Sequence, residues 1–429
     1  MLSDGAFRCA ECSQVYPVLG GMPCLTPDPV LFLRGVQTEL EDYQSSTDRR
    51  LAQVERESRE LRVSPLTRQR LERIVTALAA ERERVRALMQ PLLPSGAAAP
   101  ASAIPARPVP SADLAILKCY EHLFRDWCWG DVESEASRRL VERVLPGPLG
   151  RLAVFGAGAA RLAADVHQTL GPTETLAIDL NPLPLIVAHE LLQGRSLSLF
   201  EFPIGPEREE HVAIEQRLSC PYAPREGLFC ILADALRPPI APRALDSVLT
   251  PWFIDAAGVD LRVTAAAIGR ALKVGGTWIQ LGPLRFDGSV ARQYVIEEVL
   301  EIVRASGFEV LTELRERVPY FDSPFSGSRR VETVLCFAAR KVREPEPLAI
   351  PSNEARWLAD AALPVPVTPE LASLRRTAVF TSALLGMIDG KRSIAEIAQQ
   401  LAGAWRTDPR EVEERLRIFL SRLPRSDAG

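Results

Sequence analysis

The pattern of hydrophobic and polar positions changes several times along the chain. From about residue 150 to 340, short apolar runs alternate with stretches in which apolar residues recur every three or four positions, as Leu162, Val166 and Leu170 do. The first pattern is typical of buried strands and the second of amphipathic helices. Their alternation predicts an α/β domain with a doubly wound, mostly parallel sheet of seven strands.

The pattern also gives approximate bounds for the elements of this domain. Strands are expected near residues 152–156, 175–179, 229–233, 245–250, 277–281, 308–314 and 332–340. Helices are expected over residues 159–170, 182–193, 260–273 and 289–306. Residues 194–228 are rich in proline and break the alternation, so they are expected to form a long insertion. One position open to this insertion is over the functional site.

The flanking sequences have a different character. Residues 29–92 are highly charged, with an apolar stripe between Leu71 and Met89, and Pro65 after Ser64 marks the start of the second of two helices. Such a hairpin either supports a homodimer or covers part of the α/β domain. Alanine and proline dominate residues 93–110, which are expected to be a linker. The predicted units are residues 1–28, 29–92, 93–110, 111–342 and 343–429.

Composition and charge restrict the functional classes. A chain of 429 residues with 47% hydrophobic and 25% charged residues is typical of a globular protein of two to four units. Its net charge of -4 gives no electrostatic reason to expect a nucleic-acid partner. No signal sequence or bilayer-length apolar run is evident, so no membrane association is expected. Eight cysteines do not make a disulfide scaffold, and a cytoplasmic location is expected.

The most informative stretch is the turn Gly156-Ala-Gly158, which follows an apolar run and precedes a helical pattern. Glycine there lets the backbone turn sharply and approach a ligand closely. The next strand ends in Asp179, where a carboxylate can accept the hydroxyls of a ribose. Arg161 stands where the third glycine of a dinucleotide motif belongs, which argues against a pyrophosphate. This arrangement resembles the class I S-adenosylmethionine-dependent methyltransferases, and a dinucleotide enzyme is the alternative.

Residues 119–341 resemble a particular group of these enzymes, the carnosine N-methyltransferase family. The matching pieces are residues 124–127, 156–163, 233–234, 252–256 and 272–284, followed by 306–310 and 337–341. The run Leu-Lys-Val-Gly-Gly-Thr-Trp-Ile-Gln-Leu-Gly-Pro-Leu at 272–284 is the most specific of them. The flanking units lie outside this resemblance.

The resemblance implies a set of residues that bind S-adenosylmethionine. Arg125 would contact its carboxylate, Gly156 and Gly158 would line its methionine part, Asp179 would accept the ribose hydroxyls, Asp234 would lie by the adenine, and His122 stands where the family has a cofactor-binding glutamine. Other roles stay open for three of these residues. Arg125 and Asp234 are alternatively a structural ion pair, and Asp179 is alternatively the cap of a helix that starts at Pro182.

The same resemblance implies residues on the substrate side. Asp255 follows the apolar strand that ends near residue 250, and it is expected to hold the acceptor and act in catalysis; the alternative is a helix cap. Asp287 stands in place of a substrate-binding histidine of the family, and the family's tyrosines have no evident counterpart around residues 329–331. These departures predict a more cationic acceptor than carnosine.

Two flanking segments carry resemblances of their own. Cys9 and Cys12 form a C-x-x-C pair, Cys24 follows, and the segment resembles the zinc-ribbon-like domains beside bacterial and tRNA methyltransferases. That resemblance implies zinc, although a structural site needs four ligands; a metal-free β-hairpin is the alternative. Residues 384–423 resemble the winged-helix peptide chaperone of pyrroloquinoline-quinone biosynthesis, which implies a precursor-peptide partner. A purely structural appendage is the alternative.

The sequence therefore predicts S-adenosylmethionine-dependent N-methylation of an amine or imidazole nitrogen in a small molecule or peptide. A second hypothesis is a maturation protein that recruits a ribosomal precursor peptide through its C-terminal domain for methylation. A third is a non-catalytic scaffold with a decayed cofactor site, against which the intact Gly156, Gly158 and Asp179 argue.

Overall fold

The computed structural model describes residues 2–3, 5–9, 13–59, 63–93, 120–286 and 290–344, together with short parts of residues 382–416. The chain separates into two compact units, Met1–Leu348 and Ala349–Gly429. Most of the predicted linker lies outside the described residues, and so do Cys12 and Asp287.

The elements follow one another in chain order. The strands are β1 (Leu2–Ser3), β2 (Ala6–Arg8), β3 (Val15–Leu19), β4 (Met22–Pro23), β5 (Arg151–Phe155), β6 (Glu174–Asp179), β7 (Leu197–Glu201), β8 (Ile214–Leu218), β9 (Leu228–Leu232), β10 (Leu245–Pro251), β11 (Leu272–Gly282), β12 (Phe308–Tyr320) and β13 (Arg330–Lys341). The helices are α1 (Pro29–Arg59), α2 (Pro65–Met89), α3 (Tyr120–Phe124), α4 (Asp131–Val144), α5 (Arg161–Thr169), α6 (Pro182–Leu192), α7 (Leu261–Ala271), α8 (Ile296–Ala305) and α9 (Ile394–Trp405). A turn of π-helix, Arg125–Trp129, joins α3 to α4.

A seven-stranded sheet forms the centre of the first unit, in the order β9-β6-β5-β10-β11-β13-β12. Five adjacent strands, β9, β6, β5, β10 and β11, run parallel to one another. Strand β13 runs antiparallel to both of its neighbours, β11 and β12. The chain first builds outward from β5 to β6 and β9, and then returns to place β10 on the other side of β5. The predicted α/β class with a doubly wound, mostly parallel sheet is confirmed.

Alternation along the strands divides the interior into two apolar cores. In β5, Leu152 and Val154 belong to the core that also contains residues of α4, α5 and α6. The intervening Ala153 and Phe155 belong to the core formed with α7 and α8. Because successive side chains of a strand point to opposite faces, both faces of β5 are buried. This explains why the run at residues 152–155 is continuously apolar.

The N-terminal region packs onto the same unit. The Ser64 side chain accepts a hydrogen bond from the Thr67 amide at 3.1 Å, and α2 begins at Pro65 as predicted. Leu71, Leu78, Val85 and Met89 of the apolar stripe of α2 are buried, and α2 packs against α6 and β7. The stripe therefore covers part of the α/β domain. A homodimer contact through the hairpin stays a prediction.

The insertion at residues 194–228 contains the antiparallel hairpin β7–β8, which the sequence pattern did not predict. It lies against the turn between β12 and β13, where the Gly327 amide donates to the Gly205 carbonyl at 3.1 Å. It also contacts the π-helical turn, since Trp129 Nε1 donates to the buried Glu201 carboxylate at 3.2 Å. The insertion thus braces the π-helical turn that follows α3 and the turn that follows β12.

In the second unit, α9 starts with the predicted capping box. The Glu396 amide donates to Ser393 Oγ at 3.2 Å, and Glu396 Oε2 accepts the Ser393 amide at 2.7 Å. Ile397 and Leu401 of α9 are buried. The winged-helix domain expected at residues 384–423 lies largely outside the described residues. Over the described parts of both units, no helix combines the length and apolarity needed to span a bilayer.

Candidate functional site

A cavity of about 590 Å³ opens at the carboxyl ends of β5, β6, β9 and β10. Strand order reverses between β5 and β10, and such a switch point is where open α/β sheets bind ligands. The volume falls within the range of about 300–1,000 Å³ for small-molecule sites. All six residues predicted to bind the cofactor line this cavity: His122, Arg125, Gly156, Gly158, Asp179 and Asp234. No residue of the 194–228 insertion lines it.

The glycine turn after β5 has little room for side chains at its first position. Gly156 has a φ of +71°, and a Cβ there would lie 2.4 Å from Cδ2 of Phe253. Gly158 also has a positive φ, +55°, but open space surrounds its Cα. Gly156 is therefore required both by conformation and by the packing of Phe253, whereas Gly158 is required by conformation alone. Together they expose backbone to the cavity.

Asp179, at the tip of β6, ties this turn to the neighbouring strand. Its Oδ2 accepts the Gly158 amide at 2.7 Å, and its Oδ1 accepts the Asn181 amide at 2.7 Å. A carboxylate has about four acceptor sites in all, and Asp179 lines the cavity. The contact with Asn181, just before α6, shows that Asp179 also braces the start of that helix.

Arg161, at the third position of the glycine motif, is buried at the start of α5 and reaches the cavity wall. It donates to Asp165 at 2.9 Å and to Asp131 at 3.0 Å, and its Nη1 donates to the Asp126 carbonyl at 2.7 Å. Two carboxylates therefore already match its charge. The start of α5 offers no uncommitted cation to a pyrophosphate, which agrees with the interpretation from the sequence.

Arg125 lies in the π-helical turn with 16% of its side chain exposed. Its Nε donates to Asp126 Oδ1 at 2.7 Å, and its Nη1 lies 3.5 Å from Glu133 Oε1. Within the described residues, its terminal nitrogens Nη1 and Nη2 make no hydrogen bond. Burial alone would lower the pKa of Arg125, but Asp126 and Glu133 raise it above its ordinary value. The guanidinium stays charged, with two donor nitrogens for a carboxylate ligand.

Asp234 follows β9, and its ion-pair partner is Arg237 rather than Arg125. Its Oδ1 accepts the Leu236 amide at 2.9 Å, and its Oδ2 accepts Nε of Arg237 at 3.0 Å. The structure does not pair Arg125 with Asp234, which was one alternative from the sequence. Asp234 fixes the turn after β9 and presents that turn to the cavity.

His122 lies on α3 against the ring of Phe321, with ring centroids 4.8 Å apart. Burial, and after it the charge of Arg125, holds the pKa of His122 well below its usual value. The imidazole is therefore neutral at physiological pH. It offers the cavity one donor and one acceptor, much as a glutamine side chain would.

Asp255 occupies a different environment from the cofactor residues. It does not line the cavity, and its Oδ2 accepts the Arg285 amide at 2.9 Å. Burial raises the pKa of Asp255, against the opposing effect of backbone amides that include those of Arg285 and Ala256. The carboxylate thus holds the segment after β11 in place. Its predicted catalytic role stays a prediction, and Asp287 lies outside the described residues.

The loop after β10 contributes other residues to the cavity. Trp252 and Phe253 line it beside Pro251, the last residue of β10. Trp252 has a φ of +47°, which is rare for a bulky side chain. The Trp252 amide donates to the Leu281 carbonyl at 2.7 Å, and its indole stacks on Tyr320 with centroids 6.1 Å apart. A strained backbone at a ligand cavity is a common feature of functional sites.

Sequence reasoning did not single out Asp126, Glu133, Trp252 or Tyr320. Glu133 and Asp126 are nearly fully buried acids beside Arg125. The only signal in the sequence was their closeness to Arg125. Tyr320 ends a β12 strand that extends six residues beyond its predicted end. Its ring therefore stacks on Trp252, which lines the cavity, from a position that the sequence did not indicate.

Cys9 and Cys24, the two described cysteines of the N-terminal segment, lie far apart. The sheet runs in the order β1-β2-β3-β4, with Ala6 opposite Pro17, and the Cys24 amide donates to the Pro17 carbonyl. Cys9 is therefore two strands and three residues away from Cys24, about 14 Å at ordinary strand spacings. One zinc ion cannot bind sulfurs that far apart.

Cys24 has a different use in this fold. It is buried and forms a parallel bridge with Leu232, while the Leu25 amide donates to the Leu232 carbonyl at 2.8 Å. Burial raises the pKa of the Cys24 thiol to about 11, which disfavours a thiolate ligand. No group of three potential metal ligands occurs among the described residues. Cys24 fastens the N-terminal sheet to the edge of the central sheet, and zinc is not supported.

Comparisons with known proteins give only distant likenesses. No family model and no curated protein matches the sequence. A TehB-like S-adenosylmethionine-dependent methyltransferase from Corynebacterium glutamicum is 17% identical, covering 49% of this chain and 89% of its own, with a TM-score of 0.30. Phosphoethanolamine N-methyltransferase 2 of Haemonchus contortus, solved with S-adenosylhomocysteine, is 17% identical, covering 55% and 58%, with a TM-score of 0.35.

A further match warns against transferring an activity from such neighbours. The [4+2]-cyclase SpnF is 16% identical, covering 49% of this chain and 80% of its own, with a TM-score of 0.33. Its TM-score lies between those of the two methyltransferases, and its described reaction is a [4+2] cyclisation. Likenesses this distant carry no argument about the reaction, which has to come from the site itself.

Proposed function

We propose that this chain is an S-adenosylmethionine-dependent methyltransferase that acts on an amine or imidazole nitrogen of a small molecule or peptide. The observation that supports the cofactor most strongly is the hydrogen bond between Asp179 and the Gly158 amide. It joins an acidic strand tip to a glycine turn in the wall of one cavity. That combination suits a ribose with a small, phosphate-free group beside it.

The residues present fit S-adenosylmethionine part by part. The terminal nitrogens of Arg125 would take its carboxylate, since a guanidinium can bind a carboxylate through two parallel hydrogen bonds. Asp179 would accept the ribose hydroxyls, and the turn at Asp234 would lie beside the adenine. Gly156 and Gly158 would let backbone approach the methionine part. Arg161, already paired twice, disfavours the pyrophosphate of a dinucleotide.

The chain's own task in the reaction is mainly orientation. When bound, S-adenosylmethionine supplies a methyl carbon on a sulfonium, which is a good leaving group. What remains for the protein is to align the acceptor's lone pair with that carbon, and proximity and orientation can supply about 7–11 kcal/mol of a barrier. Trp252 and Phe253 line the cavity after β10 and would form part of the acceptor's surroundings.

The choice of a nitrogen acceptor rests on the resemblance of residues 119–341 to the carnosine N-methyltransferase family. We keep Asp255 as the predicted catalytic residue and Asp287 as a predicted substrate contact. The contacts of Asp255 in the structure are those of a residue that positions Arg285. A role toward the acceptor would require the Arg285 segment to move with substrate.

Mass spectrometry with S-adenosylmethionine carrying a deuterated methyl group tests this proposal. The full chain is incubated with panels of amines, imidazoles and peptides, and products are searched for one labelled methyl group. We expect labelling of an amine or imidazole compound and formation of S-adenosylhomocysteine. Labelling confined to oxygen or carbon acceptors would contradict the nitrogen assignment, and failure to bind the cofactor at all would contradict the enzyme class.

A further inference from the structure

Glu133, on α4, is a buried acid in the wall of the cavity that no cofactor role yet explains. Only 7% of its side chain is exposed. Its Oε2 accepts the Phe321 amide at 2.9 Å, and its Oε1 lies 3.5 Å from Nη1 of Arg125. Placing a carboxylate here carries a desolvation cost that the single amide and the shared guanidinium of Arg125 offset only in part.

The charges around Glu133 do not balance. Arg125 faces two carboxylates, Asp126 and Glu133, and its hydrogen bond goes to Asp126. Arg161, the next cation of the wall, is committed to Asp165 and Asp131. Around Arg125, two carboxylates therefore share one contacting cation, and a ligand with a positive group beside Glu133 would balance them.

We propose that Glu133 recognises the ammonium group of the cofactor's amino-acid part, while Arg125 binds the carboxylate of the same part. This assignment rests on the proposed function. An amino acid carries these two groups on one carbon, so the protein must present an anion and a cation a few ångströms apart. Glu133 Oε1 and Arg125 Nη1, at 3.5 Å, form such a pair in the wall of the same cavity. The pair would distinguish a zwitterionic ligand from a nucleoside without the amino-acid part.

The protonation of Glu133 gives this assignment a second signature. Burial is the main cause that raises the pKa of Glu133 to about 7; Asp126 adds to the rise, and Arg125, the Phe321 amide and Arg330 of β13 oppose it. An ammonium partner would favour the ionised form, so binding would release protons near neutral pH. Affinity would be full above pH 7 and would be lost as the pH falls. His122, neutral throughout this range, would not contribute.

Calorimetry with two ligands tests the assignment. S-adenosylhomocysteine has the amino-acid part, and 5′-methylthioadenosine has the same nucleoside without it. In Glu133→Gln the side chain keeps an oxygen for the Phe321 amide but loses the charge. We expect about tenfold or more weaker binding of S-adenosylhomocysteine, by the loss of one charged hydrogen bond, and binding of 5′-methylthioadenosine within about twofold of wild type.

Glu142→Gln is the matched control, since Glu142 lies on the same helix, is exposed, and pairs with Arg138 away from the cavity. It should leave both affinities unchanged. Equal losses for both ligands in Glu133→Gln, or no loss for either, would overturn the assignment while leaving the proposed function intact. If the wild-type chain binds neither ligand, the proposed function itself fails.

The proton signature needs no variant and so does not depend on the folding of Glu133→Gln. Wild-type binding of S-adenosylhomocysteine is measured at pH 7 in two buffers with different enthalpies of ionisation. We expect net proton release on binding, and affinity that rises between pH 6 and pH 8. Proton uptake, which a ligand carboxylate beside Glu133 would cause, or no proton exchange, would contradict the assignment.

Discussion

Asp179 ends β6 and Asp255 follows β10, the two strands that flank β5 on opposite sides, yet the two carboxylates have different uses. Asp179 lines the cavity and holds the Gly158 amide, so it belongs both to the turn and to the ligand space. Asp255 lies outside the cavity lining and holds the Arg285 amide. The position of an acid after a strand therefore predicts the edge of the sheet where it lies. It does not predict what the carboxylate faces.

The loops explain the difference between the two sides. On the β5–β6 side, Asp179 is the last residue of its strand, and the turn it meets begins directly after β5. On the β10 side, Asp255 is four residues beyond Pro251 in a loop whose course is set by the left-handed Trp252 and by its hydrogen bond to Leu281. In a short connection, local backbone geometry sets the direction in which a side chain points. In a longer loop, that direction depends on how the loop packs against the rest of the protein.

The largest effect on the β5 side is expected from Gly156→Ala. The new Cβ would overlap Phe253 and would force an alanine into a left-handed conformation. We expect a stability loss of about 2–5 kcal/mol and loss of S-adenosylhomocysteine binding. Gly158→Ala, with open space at its Cβ, should cost only about 1–2 kcal/mol. Thermal unfolding and calorimetry measure both, and equal effects at the two positions would show that the contact with Phe253 is irrelevant.

Asp179→Asn should have the next largest effect. One amide–carboxylate hydrogen bond would be replaced by an NH₂ group facing an N–H, and the ribose would lose a charged acceptor. We expect S-adenosylhomocysteine affinity to fall about 10- to 100-fold, as for one charged hydrogen bond. Asp246→Asn is the control, since Asp246 near the opposite end of β10 also accepts a backbone amide, from Arg151 at 2.7 Å. It should lower stability and leave affinity unchanged.

The smallest effect on the cofactor is expected from Asp255→Asn. The Arg285 segment loses a charged acceptor, so we expect a stability loss of about 1–3 kcal/mol with S-adenosylhomocysteine affinity unchanged. Methyl transfer, once an acceptor is known, should fall less than about tenfold if Asp255 only positions that segment. A hundredfold loss of turnover with unaltered unfolding temperature would instead place Asp255 against the acceptor, as the sequence predicts.

Much of the fold and of the cofactor side could be predicted from the sequence because the signals are local. The apolar run at 152–155, the turn from Gly156 to Gly158, and Asp179 lie within 30 residues and define one β-turn-α-β unit. Arg125 came instead from the resemblance, and its partner Glu133 could not be found because burial and the Phe321 amide, which give it its character, come from distant parts of the chain.

Other features depended on long-range pairing that no local pattern encodes. Cys24 is close to Cys9 in sequence, but the register of β2, β3 and β4 separates them and assigns Cys24 to the edge of the central sheet. The hairpin β7–β8 was hidden by the prolines between its two strands and after it. The stripe of α2 predicted a helix correctly, and only tertiary packing shows that α6 and β7 cover it.

The central claim is that the cavity between the glycine turn and Asp179 binds a sulfonium nucleoside and not a dinucleotide. Calorimetric titration of the full chain with S-adenosylhomocysteine and, separately, with NADH tests it most directly. The account predicts saturable one-to-one binding of S-adenosylhomocysteine that Asp179→Asn weakens, and no binding of NADH. Saturable binding of NADH that is lost in the same variant, with no binding of S-adenosylhomocysteine, would contradict it.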